Sequence, residues 1–300
     1  MARDRILRAA LAKAGHPLST HSFHRGADMV ALLADQRLEA GLLGDMPTII
    51  SAAAGATVIV GLVKQSSTAV VAKGDWQVQA LAGKRIAYVD ASSAHHTLLQ
   101  GLAAAGLGEA DVRLVKLRID EMAPALARGE IDAFAGWEPA PSIALAASDR
   151  NRIVFRGLST DYFVINRAFA ERSPAAARLL IAGYLRAINW LRFSQRNVER
   201  AAAWTQADGE ILSGSKAEVD VGQIVTITRR DILEVPGAPA IIRRPGKLPL
   251  QREFEFLSHL GKLPTGASQS NLQAAFAYEG LGEVSKALRI YRVGEFDYAD

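Results

Sequence analysis

Residues 83–107, GKRIAYVDASSAHHTLLQGLAAAGL, constrain the fold more than any other stretch of the chain. Residues 85–89 have the composition of a short buried strand and residues 90–92 are turn-formers. Leu98, Leu99, Leu102 and Ala105 then recur at helical spacing on one face. The stretch therefore predicts strand, polar turn, helix. Ser92 and Ser93 fall where a helix N-cap belongs, and a helix opening there presents unpaired backbone N–H groups and the positive end of its dipole. Such a turn can hold a small anion. The same serines can equally do no more than cap their own helix, and both readings stay open on this stretch alone.

A chain of 300 residues is too long for one comfortable core and predicts two domains. An apolar fraction of 49% with only 7% aromatics fits an α/β globular protein. Lys and Arg number 35 against 31 Asp and Glu, and the basic residues are scattered, so neither nucleic acid nor a membrane surface is predicted as a partner. The absence of cysteine excludes disulfides, thiolate metal ligands and a cysteine nucleophile. Residues 46–63 carry no charge, but Pro47, Gly55 and Gly61 divide them into a short helix, a cap and a strand at 57–63 rather than a membrane span. Residues 1–15 mix basic and apolar side chains without an uninterrupted apolar core or a small-residue cleavage site, so they do not read as an export signal.

In chain order, residues 6–14 predict an amphipathic helix stopped by Gly15 and Pro17, and residues 18–23 a short strand. Arg25 and Gly26 open a helix with Ala27, Val30, Ala31, Ala34 and Leu38 on its apolar face. Leu42 and Leu43 then form a brief strand that delivers Gly44, Asp45 and Met46 to its C-terminal edge, with Pro47 following. A comparable order recurs further on. Residues 119–127 are helical, 133–135 are the brief strand, and Gly136, Trp137 and Glu138 sit at its edge before Pro139. Ligands of open α/β sheets bind beyond the carboxyl ends of strands, so two such rims can serve a ligand, or they can be two unrelated αβ units with none. Strands are also predicted at 68–72, 112–117, 152–155 and 162–165. The first and last of these read as paired crossings between two lobes. From Ser173 the pattern is helical: Ser173 as N-cap, Pro174 at the first position, and an apolar stripe of Leu180, Tyr184, Ile188 and Leu191. Helices follow at 198–205, 220–232 and 250–260, with an irregular stretch around Pro236, Pro239, Pro245 and Pro249.

Little else in the chain carries chemistry. His95 and His96 are adjacent, which on a helix turns them about 100° apart and unsuits them to one metal ion. His16, His21, His24 and His259 show no ligand spacing, so no metal is predicted. His95 is read either as a surface residue or as a hydrogen-bonding partner near an anion. There is no nucleophile elbow, zinc-protease motif, P-loop or dinucleotide fingerprint. Glu130 and Asp132 are adequately explained by solvation in a turn. Trp137 and Glu138 can be packing residues, or an apolar wall and an acceptor for a ligand amine.

Four segments, LEAGLLGDMPTIISAAAG, LAGKRIAYVDASSAHHTLLQGLAAAGL, RGEIDAFAGWEPAPSIALA and SPAAARLLIAGYLRAINWL, resemble in order and spacing the nitrate, sulfonate and taurine solute-binding proteins of ABC importers. The resemblance runs from about residue 20 to about residue 205 and more weakly to the end. It implies an α/β protein of the type II periplasmic-binding-protein fold, two lobes joined by two crossover strands and closing on a ligand. Lobe 1 would be residues 1–72 and 163–300, and the inserted lobe 2 residues 73–162. Carried over residue by residue, it places an anion at Ser92, Ser93 and the helix start that includes His95. Gly44, Asp45, Met46 and Pro47 would line the first lobe's rim, Trp137 and Glu138 the second's, and Ser66, Asp161 and Tyr162 would face the ligand from the crossings. The implied function is capture of a small anion, an alkanesulfonate or related organosulfur compound with taurine or nitrate as alternatives, for delivery to an ABC permease of the inner membrane. The implied protein is periplasmic and monomeric and uses no cofactor.

Two departures accompany the resemblance. The chain opens at what reads as the helix after the family's first strand, without a signal peptide, so the expectation is that Met1 is an internal start or marks a truncated product. A His-His pair follows Ser-Ser-Ala, where only the first histidine is typical of the family. The competing implication is an enzyme on the same fold. The pyrimidine-precursor synthases and aryl-sulfinate desulfinases that share it use cysteine, which this chain lacks. A ligand-sensing domain of the LysR type would need a DNA-binding segment, and none is read ahead of the first lobe.

Overall fold

The computed structural model of the chain describes residues 1–74, 77–217, 219–236, 238–239 and 248–299. Its elements run α1 (Arg5–Lys13), α2 (Ala27–Ala34), β1 (Ala40–Gly44), α3 (Asp45–Ala53), β2 (Thr57–Lys73), β3 (Arg85–Tyr88) and α4 (Ser93–Ala104). Next come β4 (Arg113–Lys116), α5 (Ile119–Arg128), β5 (Ala133–Gly136), α6 (Ala140–Ala147), β6 (Asn151–Asn166), α7 (Arg167–Arg172) and α8 (Pro174–Phe193). The chain continues through α9 (Gln195–Ser213), α10 (Val221–Thr228), α11 (Gln251–His259), α12 (Gln269–Ala274) and α13 (Glu279–Lys286). It divides into two compact units. Unit 1 is Met1–Lys64, Asp161–Gln251 and Leu263–Asp300; unit 2 is Gln65–Thr160 with Arg252–Lys262.

In unit 1, β1 pairs antiparallel with the C-terminal part of β6, from Ala40 against Ile165 to Gly44 against Asp161. The core gathers Leu7 and Leu11 of α1, Val58 and Val60 of β2, Phe163 and Ile165 of β6, and the inner face of α8. Of the stripe expected on α8, Leu180, Tyr184 and Ile188 lie in this core, while Leu191 packs against a separate cluster with Val198 and Ala202 of α9. Gly183 lets α1 approach α8, because a Cβ there would stand 2.6 Å from Leu7 Cδ2. Asp4 caps α1 by accepting from the Leu7 N–H, and its other oxygen meets Arg186 of α8 at 2.6 Å, both side chains buried.

In unit 2, the second half of β2 runs antiparallel to β5, and β5 and β4 flank β3 in parallel. Alternation along these strands sorts the side chains onto two buried faces. Ala69, Val71, Ala87 and Phe134 face a core with Met122 and Leu126 of α5, while Val70, Ala72, Ile86, Tyr88, Ala133 and Ala135 face one with Leu98 and Leu102 of α4. Burial on both sides is why these strands read as near-continuous apolar runs. Gly101 and Gly157 permit close packing within this unit: a Cβ at Gly101 would lie 2.9 Å from Phe155, and one at Gly157 would lie 2.0 Å from Thr97 Oγ1.

Several expectations need correction. Residues 18–23 form no strand; they run without regular structure, and most of them are exposed, because a strand exists only with a neighbour to bond. The strands expected at 57–63 and 68–72 are one strand, β2, and those at 152–155 and 162–165 are one strand, β6. Polar side chains at 64–67 and 159–161 read as breaks, yet a strand's backbone ladder continues through polar residues. The helix expected at 198–205 extends over the whole of α9, and the one at 220–232 is α10 continued by a π-helical turn at Arg229–Leu233. Pro245 lies outside the described residues. Among the described residues no helix is long and apolar enough to cross a membrane.

Candidate anion-binding turn

The strand, turn and helix that open the sequence reading form as expected in unit 2. Ser92 is the N-cap of α4, in extended conformation at φ −103° and ψ 166°, and its Oγ accepts from the His95 backbone N–H at 3.1 Å. The same hydroxyl donates to the Val89 carbonyl at 2.7 Å, so it ties the end of β3 to the start of α4. With the His95 N–H used by the cap and the His96 N–H bonded to the Ser92 carbonyl, the N–H groups of Ser93 and Ala94 are left without an acceptor among the described residues. These two donors lie at the positive end of the helix dipole. The Ser93 hydroxyl accepts from Ser159 Oγ at 3.3 Å.

The turn residue Ala91 has φ +53°, in the left-handed region that an alanine rarely adopts. Its N–H donates to Nδ1 of His95 at 3.3 Å. His95 is not at the surface. It is 2% exposed, with its ring 4.5 Å from that of Tyr88 and 5.4 Å edge-on from that of Phe256 on α11. Burial pushes its imidazole below the ordinary value, against the opposing pull of Glu109 and Asp90. His96 stacks on Phe256 at 4.7 Å, and burial pushes its pKa down as well. Asp90 Oδ2 receives Lys116 at 3.2 Å and Lys262 at 3.1 Å. Burial raises the Asp90 carboxyl, but the hydrogen bonds from Lys262 and Lys116 outweigh it and hold the group below its ordinary value. Phe256, Lys262 and Ser159 were not legible as neighbours of this turn, because no local pattern connects positions so distant in sequence.

Elsewhere in unit 2, Trp137 is half-buried against the core that holds Tyr88, Ala94 and Leu98. Glu138, joined to Pro139 by a cis peptide bond, accepts from the backbone N–H and the hydroxyl of Ser142, the latter at 2.7 Å. Ser66 is buried within β2. In unit 1, Gly44 is the extended N-cap of α3, and Asp45, Met46 and Pro47 are its first three residues. Asp45 is buried and accepts from the Met46 N–H at 2.8 Å. Asp161 pairs with Gly44 in the ladder, leaves only 3.6 Å for a Cβ there, and lies 3.9 Å from Lys64 Nζ. Burial pushes its carboxyl up, Lys64 opposes this, and Asp231 adds to it. Tyr162 is buried beside it. The sequence-predicted residues thus gather into the Ser92, Ser93 and His95 turn with the separate Trp137 and Glu138 edge in unit 2, and the Gly44 to Pro47 rim with Asp161 and Tyr162 in unit 1.

A groove of about 530 Å³ in unit 1, walled by residues 18–23 and by Ala40, Gly41 and Leu42, contains none of these residues. Size alone does not make it the functional site. Among the described residues no group of acidic, histidine or cysteine side chains is arranged to hold a metal ion.

The architecture, two α/β units traversed by β2 and β6 with a capped helix start at a strand end, is that of the type II periplasmic binding proteins. The chain belongs to the NMT1-like family, whose model matches residues 8–206. It is 29% identical over 175 residues to the taurine-binding periplasmic protein of Escherichia coli (strain K12), a match covering 55% of each chain. The match therefore spans about half the length of that relative. Among solved structures, the chain is similar to the periplasmic aliphatic sulphonate binding protein SsuA from Escherichia coli, with a TM-score of 0.68 at 23% identity over 90% of this chain and 94% of that one. It is also similar in fold to the desulfurization protein DszB in complex with biphenyl-2-sulfinic acid, with a TM-score of 0.59 at 16% identity over 95% and 96%.

Proposed function

We propose that the protein is the solute-binding component of an ABC importer and that it captures a small organosulfur anion, an alkanesulfonate or a close relative such as taurine, at the N-terminus of α4. The observation that carries this reading is the turn at Ser92, where the Ser93 and Ala94 N–H groups at the start of α4 have no acceptor among the described residues, beside the Ser93 hydroxyl. A sulfonate carries one charge over three oxygens and stays ionised throughout the physiological range. It can take both N–H groups and a hydroxyl at once, in hydrogen bonds strengthened by its charge. Two named relatives, a taurine-binding periplasmic protein and an aliphatic sulfonates-binding protein of Escherichia coli (strain K12), support the organosulfur class. They also support a periplasmic location and delivery to a membrane permease. The alternative of an enzyme acting on a sulfinate, like DszB in fold, finds no nucleophile of the expected kind, since the chain has no cysteine.

Titration calorimetry with methanesulfonate, taurine, sulfate and nitrate tests the proposal. A sulfonate should bind with the highest affinity, and Ser92→Ala with Ser93→Ala should weaken it about tenfold, in line with loss of charge-assisted hydrogen bonds and of the cap. Absence of binding by the folded protein, or an unchanged affinity in the double variant, refutes it.

A further inference from the structure

We infer that neutral His95 is the clamp that holds residues 90–92 in the shape that receives the anion, and that acid opens the clamp by transferring His95 from the Ala91 N–H to the Asp90 carboxylate. The inference rests on the reading of that turn as the anion site, and it assigns His95 a positioning role rather than a contact with the ligand.

Ala91 is held at φ +53°, a conformation that persists in a non-glycine residue only when its surroundings enforce it. The enforcing bond is the one from the Ala91 N–H to His95 Nδ1 at 3.3 Å, flanked by the two bonds of the Ser92 hydroxyl. An imidazole nitrogen that accepts a hydrogen bond carries no proton, so the neutral ring bears its hydrogen on Nε2. That nitrogen is buried and has no partner among the described residues. Protonation adds a hydrogen at Nδ1, directed at the Ala91 N–H, and two donors then face one another. Asp90 Oδ1, an acceptor, lies 3.9 Å from Nδ1. A small rotation of the ring forms the imidazolium–carboxylate pair and leaves Ala91 without the bond that holds its left-handed turn.

The groups around the ring set where this occurs. Burial opposes the charge most strongly; Glu109 and Asp90 favour it, and Lys116 and His96 oppose it. From β3 the ring meets the Tyr88 phenol, and from α11 it meets uncharged Phe256, while Lys262 engages Asp90 beside Lys116. The change therefore falls below the ordinary histidine value of 6.5. Asp90, held ionised by its two lysines, can accept a hydrogen bond from the imidazolium while the proton stays on His95. The direction of the effect separates this role from direct contact. A histidine touching the anion would bind it more tightly once charged, whereas a clamp that opens binds it less tightly.

The test is methanesulfonate affinity across the acid range for the wild type, His95→Asn and His95→Gln. Asparagine can put its amide oxygen near the position of Nδ1, whereas glutamine puts its amide near Nε2. The wild type should lose about three- to tenfold in affinity on acidification, the value of one hydrogen bond. His95→Asn should lose the pH dependence, and His95→Gln should bind about three- to tenfold more weakly than His95→Asn at neutral pH. Tighter binding in acid, or equal behaviour of the two variants, overturns the clamp. Nitrogen-15 spectra of His95 with the Ala91 amide shift give a second readout, valid even if a variant does not fold. The clamp predicts hydrogen on Nε2 at neutral pH and an Ala91 amide that titrates with the ring, and hydrogen on Nδ1 or an indifferent Ala91 amide refutes it. If folded wild type binds none of the anions while the spectra show the Nε2 tautomer and a coupled Ala91 amide, the anion reading of the turn fails and the clamp's geometry stands.

Discussion

Arg186→Met should be among the most damaging single changes available in unit 1. The Arg186 guanidinium makes three engagements at once. Nη1 meets Asp4 at 2.6 Å, Nε donates to the Arg292 carbonyl at 3.0 Å and Nη2 to the Tyr291 carbonyl at 2.7 Å. Its side chain is 3% exposed and that of Asp4 is 0%. Methionine fills much of the same volume, so the dominant loss is electrostatic. Asp4 remains buried with only its capping bond to Leu7, and two carbonyls lose their donors. Breaking a buried pair by removing one partner costs about 3–5 kcal/mol. At roughly 2–4 °C per kcal/mol for a unit of this size, the melting temperature should fall by roughly 6–20 °C. Removing Asp4 as well, in Asp4→Ala with Arg186→Met, should recover part of the loss, less the value of the cap, about 1 kcal/mol. Calorimetry or urea unfolding followed by the tryptophans of unit 1 measures both. A single variant within about 1 kcal/mol of wild type, or a double variant worse than the single by the full ion-pair value, refutes the reasoning.

Other outcomes follow from single contacts. Gly157→Ala drives a methyl to 2.0 Å from Thr97 Oγ1, which itself sits 2.5 Å from Thr68 Oγ1, and should cost about 1–3 kcal/mol in thermal unfolding, partly recovered by Thr97→Ala. Tyr184→Phe removes the hydroxyl that donates to the Leu62 carbonyl at 2.7 Å, and urea unfolding should show a loss of about 1 kcal/mol. Lys262→Met should narrow the acid range of unit 2. Asp90's pKa is depressed in the folded protein, so its contribution is complete above its ordinary value of 3.8 and is lost as the pH falls through the depressed value. Acid titration by circular dichroism should place the midpoint of the variant at higher pH than that of the wild type.

The parts of the fold legible in the sequence are those set by short-range rules. β3, the polar turn and the Ser92 cap follow from local alternation and capping chemistry, and Ser173 with Pro174 marks the start of α8 within a residue. The strand expected at 18–23 failed because pairing is not a local property, and no neighbouring strand bonds to it. β2 and β6 looked like two strands each, since hydroxyl and charged side chains at their middles mimic turns in composition while leaving the backbone ladder intact. At the turn, the Ser92 cap was legible and the burial of His95 was not. Polar His95 beside His96 reads as surface, and what buries it is Phe256, brought in by a helix far along the chain. Lys262 and Asp90 stand 172 positions apart, beyond the reach of any pattern in a window.

The late origin of α11 bears on how the protein is made. Residues Gln65–Thr160 leave the ribosome well before Arg252–Lys262, yet both belong to unit 2. Until that last piece emerges, the rings of His95 and His96 lack their Phe256 neighbour, and Asp90 has Lys116 but not Lys262. The nascent unit must therefore wait, its sheet formed and its anion turn unfinished, through the synthesis of α8, α9 and α10. Completion of the turn is thereby tied to near-completion of the chain, and a nascent polypeptide stalled before Phe256 should carry the serines of the turn without the packing that sets them.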